Sequence, residues 1–212
     1  MNSLKKVIWV DPLSINYFQL PPHYWWYSKF QSYPFPGFLN KFSDYLYNRL
    51  TENIWHSGSW DLRAEKFREK DWFVLIDDLV KNKNDFKKSN WYLFAKESLS
   101  SDGVFKYKKY QVASLLELDS FFSEYLIPLI NSISTQGWNT EITDEIPTGM
   151  IGRDGSLIKS GFGCHRLAIL QSINMNYKYP LRIVSIHPKI HNKSNLPDNI
   201  VSLLKSITLT NK

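Results

Sequence analysis

The segment from Glu145 to His187 constrains the fold more than any other part of the chain. "EIPTGMIG" has the composition of a strand, "RDGS" of a tight turn and "LIKSG" of a second strand. "CHRLAILQSINMN" carries Leu167, Ile169, Leu170 and Ile173 and reads as a helix, and "YPLRIVSIHP" as a further strand. A strand–turn–strand–helix–strand order in so few residues predicts a small sheet with a helix packed on it. The expected class is α+β.

The remainder reads as mostly helical and rich in aromatic residues. "VIWVDP" is an expected short strand stopped by Asp11-Pro12, and "FLNKFSDYLYNRL" has helical spacing at Leu39, Phe42, Leu46 and Leu50. Between them, "LPPHYWWYSKFQSYPFPGF" mixes prolines with rings and is expected as a long ordered loop. Its adjacent Trp25 and Trp26 either pack that loop or stack on a base or sugar ring. The segment Asp61–Val80 is expected as helix in one or two pieces, followed by a polar loop at "KNKNDFKKSN" and a short helix at "WYLFAKESLSS". Leu115, Leu118, Phe122, Leu126, Leu129 and Ile133 form the clearest helical stripe, with Pro128 as a kink or break and Gly137 as the stop. "NLPDNIVSLLKSI" is an expected terminal helix. The natural division is a helical or irregular part over 1–110 and a compact unit over 111–212.

Charge is concentrated near the opening segment. The chain carries a formal charge of +6, and residues 146–212 hold nine Lys or Arg against two Asp, so the rest is close to neutral. A basic face there suits an anionic ligand such as a nucleotide, although a solvated lysine-rich surface has the same composition. The single cysteine excludes an internal disulfide framework. No apolar run is long enough for a membrane span, and no signal-peptide pattern is visible, so the cytoplasm is the expected compartment. His23, His56, His165, His187 and His191 show no zinc-like spacing with Cys164, and no metal site is expected.

"SGFGCHRLAIL" is the motif with most chemistry. Gly161 and Gly163 precede a helix that starts near Cys164, where free N–H groups and the helix dipole favour an anion. Arg166 offers a fork for phosphate oxygens, and His165 can donate a hydrogen bond or move a proton. Cys164 is either a buried inert thiol or, at a helix start beside His and Arg, a nucleophile of lowered pKa.

These residues resemble the ParB/sulfiredoxin-like superfamily, over Glu145–His187. Members share the strand, the R-D-G turn, the glycine-led G-x-H-R-L-A helix start and a following strand that ends in His. "WVDPLSINY", "SGSWD" and the helix ending in "GW" extend the likeness at lower stringency to a bacterial group of ParB-like proteins. The resemblance implies a nucleotide, ATP, ADP or CTP with Mg²⁺, held at Gly161, Gly163, Cys164, His165 and Arg166, with Arg153 from the turn. It also implies either phosphoryl transfer to a small hydroxylated acceptor, a non-catalytic nucleotide-gated binding module, or a sulfiredoxin-like cysteine enzyme using Cys164. The sulfiredoxin order Phe-Gly-Gly-Cys is here Gly161-Phe162-Gly163-Cys164. The DNA-reading helix-turn-helix of partition proteins is not evident, so nucleic acid is not the favoured partner.

The remaining candidates are carboxylates and a histidine around this unit. Asp154 is a turn residue or a base near the phosphates, and Glu145 a strand-end carboxylate or a second base. His187 closes the last strand, where the resemblance places a histidine near the site. Trp60 and Asp61 read as a packing ring and a helix cap, and the resemblance leaves Asp61 the alternative of facing the cleft.

Overall fold

The computed structural model describes residues 7–22, 24–33, 37–107, 110–139 and 146–210. His23, Glu145 and the side chains of Trp25 and Trp26 lie outside the described residues, and with them one candidate base and the ring-stacking expectation. The protein is α+β, with a mixed six-stranded sheet, a small two-stranded sheet and helices. Its contacts divide it into two compact units that are interleaved along the chain. The first comprises residues 1–67, 143–164 and 178–212, and the second 68–142 and 165–177. The expected boundary near residue 110 lies within the second of these.

The first unit is built on the larger sheet. Its strands are β1 (Val7–Val10), β2 (Ile15–Phe18), β3 (Glu65–Lys66), β6 (Thr148–Ile151), β7 (Leu157–Ser160) and β8 (Tyr179–Ile186), in the spatial order β1-β8-β6-β7-β2-β3. β6 and β7 form the hairpin expected around the R-D-G turn, paired from Thr148↔Ser160 to Ile151↔Leu157. β8 lies parallel to β6, and β2 parallel to β7. β7 is buried at every position, as expected of a strand covered on both faces. Asp11 stops β1 as its sequence implied, accepting a hydrogen bond from the Leu13 N–H at 2.8 Å ahead of a short 3₁₀ turn. Helix α8 (Asp198–Thr210) buries Ile200, Leu203, Leu204 and Ile207 and packs against β1.

The proline-and-ring segment is not one loop. It contains α1 (Tyr24–Gln31), which packs against α2 (Gly37–Glu52). The prolines bracket α1 instead of interrupting it, so none has to be accommodated inside a helix. Of the stripe expected in α2, Phe42 is 56% exposed and Leu46 is exposed, Leu39 is half-buried, and the Leu50 side chain lies outside the described residues.

The second unit is helical around a cluster of rings. It holds α3 (Asp71–Lys81), α4 (Asn90–Asp102), the hairpin of β4 (Phe105–Tyr107) and β5 (Tyr110–Val112), α5 (Leu115–Ser120) and α6 (Ile127–Gln136). The expected helix over Asp61–Val80 is shorter than its sequence implied, because residues 60–63 form a 3₁₀ turn and β3 intervenes before α3. The polar loop after α3 is itself a 3₁₀ segment, Lys83–Lys88. Ser114 caps α5 by accepting the Glu117 N–H, while Glu117 accepts the Ala113 N–H, a reciprocal arrangement close to a capping box.

The break expected at Pro128 takes a particular form. A π-helical turn, Phe121–Leu126, sits between α5 and α6, and Pro128 follows it in the first turn of α6. Phe122 is fully buried at this widened turn, against Phe86, Trp91 and Tyr92. Helix α7 (Cys164–Ile173) buries five residues in succession, Leu167 to Gln171. Among the described residues, no helix is long and apolar enough to cross a membrane.

Removing the ring at the centre of this cluster leaves a cavity that rigid neighbours cannot fill. Phe122→Ala is expected to lower stability by about 3–5 kcal/mol. Chemical denaturation followed by far-UV circular dichroism checks this through a lowered midpoint.

Candidate functional site

The turn from Ser160 to Cys164 is organised by one buried lysine. Lys159 lies on β7 and is fully buried. Its Nζ donates to the carbonyls of Thr148 at 2.9 Å, Ser160 at 2.6 Å and Phe162. Those acceptors match the three protons of an ammonium. Among the described residues no carboxylate pairs with it, so its charge is balanced only by carbonyl dipoles. Burial pushes its pKa down to about 8, with the neighbouring Cys164 acting in the opposite sense.

Other side chains complete this pattern. The Thr148 hydroxyl also donates to the Ser160 carbonyl at 2.6 Å, the Cys164 thiol to the Gly161 carbonyl at 2.9 Å, and the Tyr179 hydroxyl to the Gly163 carbonyl at 3.1 Å. The turn from Ser160 to Gly163 thus leaves no carbonyl without a side-chain donor. Gly161 and Gly163 both have positive φ, 53° and 90°. At Gly163 a Cβ would meet Pro147 and the Tyr179 hydroxyl at 2.9 Å, so glycine is required there on both grounds. The Ser160 hydroxyl is buried and has no hydrogen-bond partner among the described residues.

The neighbouring motif residues do not join this turn. Successive helical residues point about 100° apart, so Cys164, His165 and Arg166 cannot share one face. The His165 ring stacks on Tyr107, and its Nδ1 lies 2.5 Å from the Tyr107 hydroxyl. Trp72 and Trp91 stand edge-on to it. The Arg166 guanidinium lies 5.1 Å from the Trp138 ring centroid, beside a small cleft with Ser132 and Asn139. The Cys164 contact uses the thiol proton, which a nucleophilic thiolate would lack.

The R-D-G turn lies at the other end of the β6–β7 hairpin. Strands of four residues separate the two ends by about 10 Å. There Arg153 donates from Nε to Asp61 Oδ2 at 2.8 Å and from a terminal nitrogen to Asp61 Oδ1 at 2.7 Å. The Arg153 backbone N–H also reaches Asp61 at 2.8 Å, and its guanidinium donates to the Gly58 carbonyl at 2.7 Å. Burial raises the Asp61 pKa, but the hydrogen bonds and charge of Arg153 outweigh it and hold the carboxyl below its usual value.

His187 completes this second cluster. Its Nδ1 accepts the Lys189 N–H, which makes Nε2 the donor to the Gly58 carbonyl at 2.9 Å. Asp154 accepts the Ser156 N–H in an Asx turn. Asp61, Arg153 and His187 thus pin the loop Ser57–Asp61, and both ring nitrogens of His187 are in use. Among the described residues no group of three His, Cys, Asp or Glu side chains is placed to hold a metal ion.

The sequence reading missed Lys159, Thr148 and Tyr179. The one available signal was a lysine inside an apolar strand immediately before Ser-Gly. No family model, curated protein or solved structure matches the chain.

The Asp61–Arg153 fork has a pH signature. A carboxyl whose pKa is lowered by folding contributes stability above its ordinary value of about 4 and loses it as pH falls through the folded-state value. Asp61→Asn is therefore expected to lower the Tm by several degrees at pH 7 and to show a shallower loss of Tm below pH of about 4 than the parent chain. Thermal melts from pH 7 to pH 3 test this, and parallel curves for the two proteins would exclude it.

Proposed function

We propose that the chain binds a nucleotide through its phosphates at the Ser160–Cys164 turn. The observation that carries this reading is the carbonyl pattern: the four carbonyls from Ser160 to Gly163 are held by side-chain donors, over a buried ammonium with no carboxylate partner among the described residues. Positive-φ glycines at alternate positions and a helix start supply the backbone form of an anion nest. The order β6, R-D-G turn, β7, glycine turn, α7, β8 agrees with a ParB/sulfiredoxin-like unit, and we assign residues 146–187 to that fold as part of this proposal.

The geometry favours binding over turnover. His187 and Asp154 sit at the far end of the hairpin and are held in local hydrogen bonds. His165 is stacked on Tyr107, and Cys164 spends its proton on Gly161. A nucleotide-binding module therefore has more support than a phosphotransferase or a cysteine enzyme.

Thermal melts and calorimetric titration with ATP, ADP, CTP and GTP, each with Mg²⁺, test the proposal. At least one nucleotide is expected to raise the Tm by several degrees. Phe162 is exposed on the turn, so Phe162→Asp places a carboxylate there without disturbing the core, and it is expected to abolish the shift. Lys159→Met should do the same at lower stability. If no nucleotide stabilises the parent chain, or Phe162→Asp responds as the parent does, the proposal fails. Phosphate-transfer assays on the same samples are expected to show no turnover.

The affinity should also fall as pH rises through about 8, where Lys159 loses its proton. Its folded-state pKa lies below the ordinary 10.5. Between those values the unfolded chain binds more protons, so this group raises folding stability with pH there. Weaker binding at pH 9 would thus not reflect unfolding through Lys159.

A further inference from the structure

The first unit contains a cavity of about 480 Å³ that the nucleotide proposal does not use. That volume falls in the range of small-molecule sites, about 300–1,000 Å³. Trp55, Trp60, Pro21 and Leu20 supply its apolar walls, and Gln19, Ser57, Ser59 and Arg63 polar groups. Both tryptophans are half-buried; Trp55 packs beside the His191 ring with centroids 4.9 Å apart, and Trp60 beside His187 at 6.1 Å. Arg63 is exposed and belongs to the cavity lining, which contains no carboxylate among the described residues.

The walls are fixed before any ligand arrives. The Trp60 Nε1–H donates to the His56 carbonyl at 2.8 Å, and the buried His56 ring contacts the Ser185 hydroxyl at 3.0 Å. The His56 N–H continues the sheet by donating to the Ile186 carbonyl at 3.0 Å, and the Gln19 N–H does so to the Lys159 carbonyl at 3.0 Å. Asp61, Arg153 and His187 hold the Ser57–Asp61 loop from its other side. That loop contributes little to the core: Ser57, Gly58 and Ser59 are exposed, and Leu62 just beyond is 68% exposed. A network of charge-assisted bonds that immobilises such a loop makes physical sense as preorganisation of a binding wall.

We propose that this cavity binds a ring compound with several hydroxyl groups and one anionic group, a sugar acid or sugar phosphate. The indole faces suit the C–H face of a sugar ring. The amide and hydroxyls match ring hydroxyls, and the Arg63 guanidinium matches a carboxylate or phosphate. A flat aromatic acid would satisfy Arg63 and the indoles but leave Gln19, Ser57 and Ser59 without partners.

Tryptophan fluorescence and ligand-observed NMR titrations of the full chain test this with glucuronate, glucose 6-phosphate, glucose and benzoate. Saturable binding of glucuronate or glucose 6-phosphate is expected, with glucose weaker by about tenfold or more. Whichever of the two anions binds more tightly identifies the anionic group. Arg63→Gln should remove the preference over glucose, and Ser59→Ala should weaken all three sugars. Phe162→Asp should leave sugar binding unchanged, which separates this site from the nucleotide turn. The proposal is overturned if neither anionic sugar binds saturably. It is also overturned if glucose or benzoate binds as tightly as they do, or if Arg63→Gln and Ser59→Ala bind as the parent does.

Discussion

Among the described residues the ammonium of Lys159 meets only carbonyl oxygens, and the glycine turn takes its shape from that. A buried charge is tolerable only when its hydrogen-bonding capacity is filled. Here the acceptors come from Thr148 on the neighbouring strand and from Ser160 and Phe162 on the turn itself. Drawing the last two inward requires the backbone to reverse between them, and Gly161 and Gly163 make that reversal possible. The donors from Thr148, Cys164 and Tyr179 then settle the oxygens further. Lysine, turn and helix start are one electrostatic unit. Replacing the lysine by an apolar residue would leave those oxygens short of donors.

The hairpin that carries this unit also separates it from the second cluster. Arg153 and Asp154 lie only a few residues before Lys159 in the chain. The β6–β7 pairing nevertheless sends the R-D-G turn to one end and the glycine turn to the other. At the R-D-G end the fork between Arg153 and Asp61 is a buried charge interaction of a different kind, with both charges present and paired: the Asp61 side chain is only 4% exposed. It ties together segments 92 residues apart in sequence and fixes the loop that forms one wall of the tryptophan-lined cavity.

Much of the first unit was legible in the sequence because its signals are local. Turn chemistry marked both ends of β7 and Asp11-Pro12 stopped β1; in the second unit the stripe from Leu115 to Ile133 announced α5 and α6, with Pro128 close to the irregularity. Other features left no local signal. The contacts of Lys159 carried no signal of their own, since hydrogen bonds to carbonyls impose no pattern on neighbouring side chains. The Asp61 partner was out of reach of any spacing argument. α1 was missed because its flanking prolines were weighed as breakers within the segment, when they act as its borders. His165 and Arg166 were grouped with Cys164 by adjacency in sequence, whereas a helix distributes adjacent residues around its axis.

That last point bears on how a glycine-led helix start should be read. A motif that names three adjacent polar residues invites the picture of three side chains converging on a ligand. In this chain His165 stacks within a cluster of rings and Arg166 rests on Trp138. On the nucleotide proposal, the part of the motif that meets the anion is its backbone, and the charge that biases it comes from the strand before. Specificity for a particular nucleotide would then arise outside the motif side chains, from whatever else contacts the ligand beyond its phosphates. A phosphate held mainly by backbone beside one buried cation would make such a turn a general anion seat, to which different partners could be fitted by changing the surrounding loops.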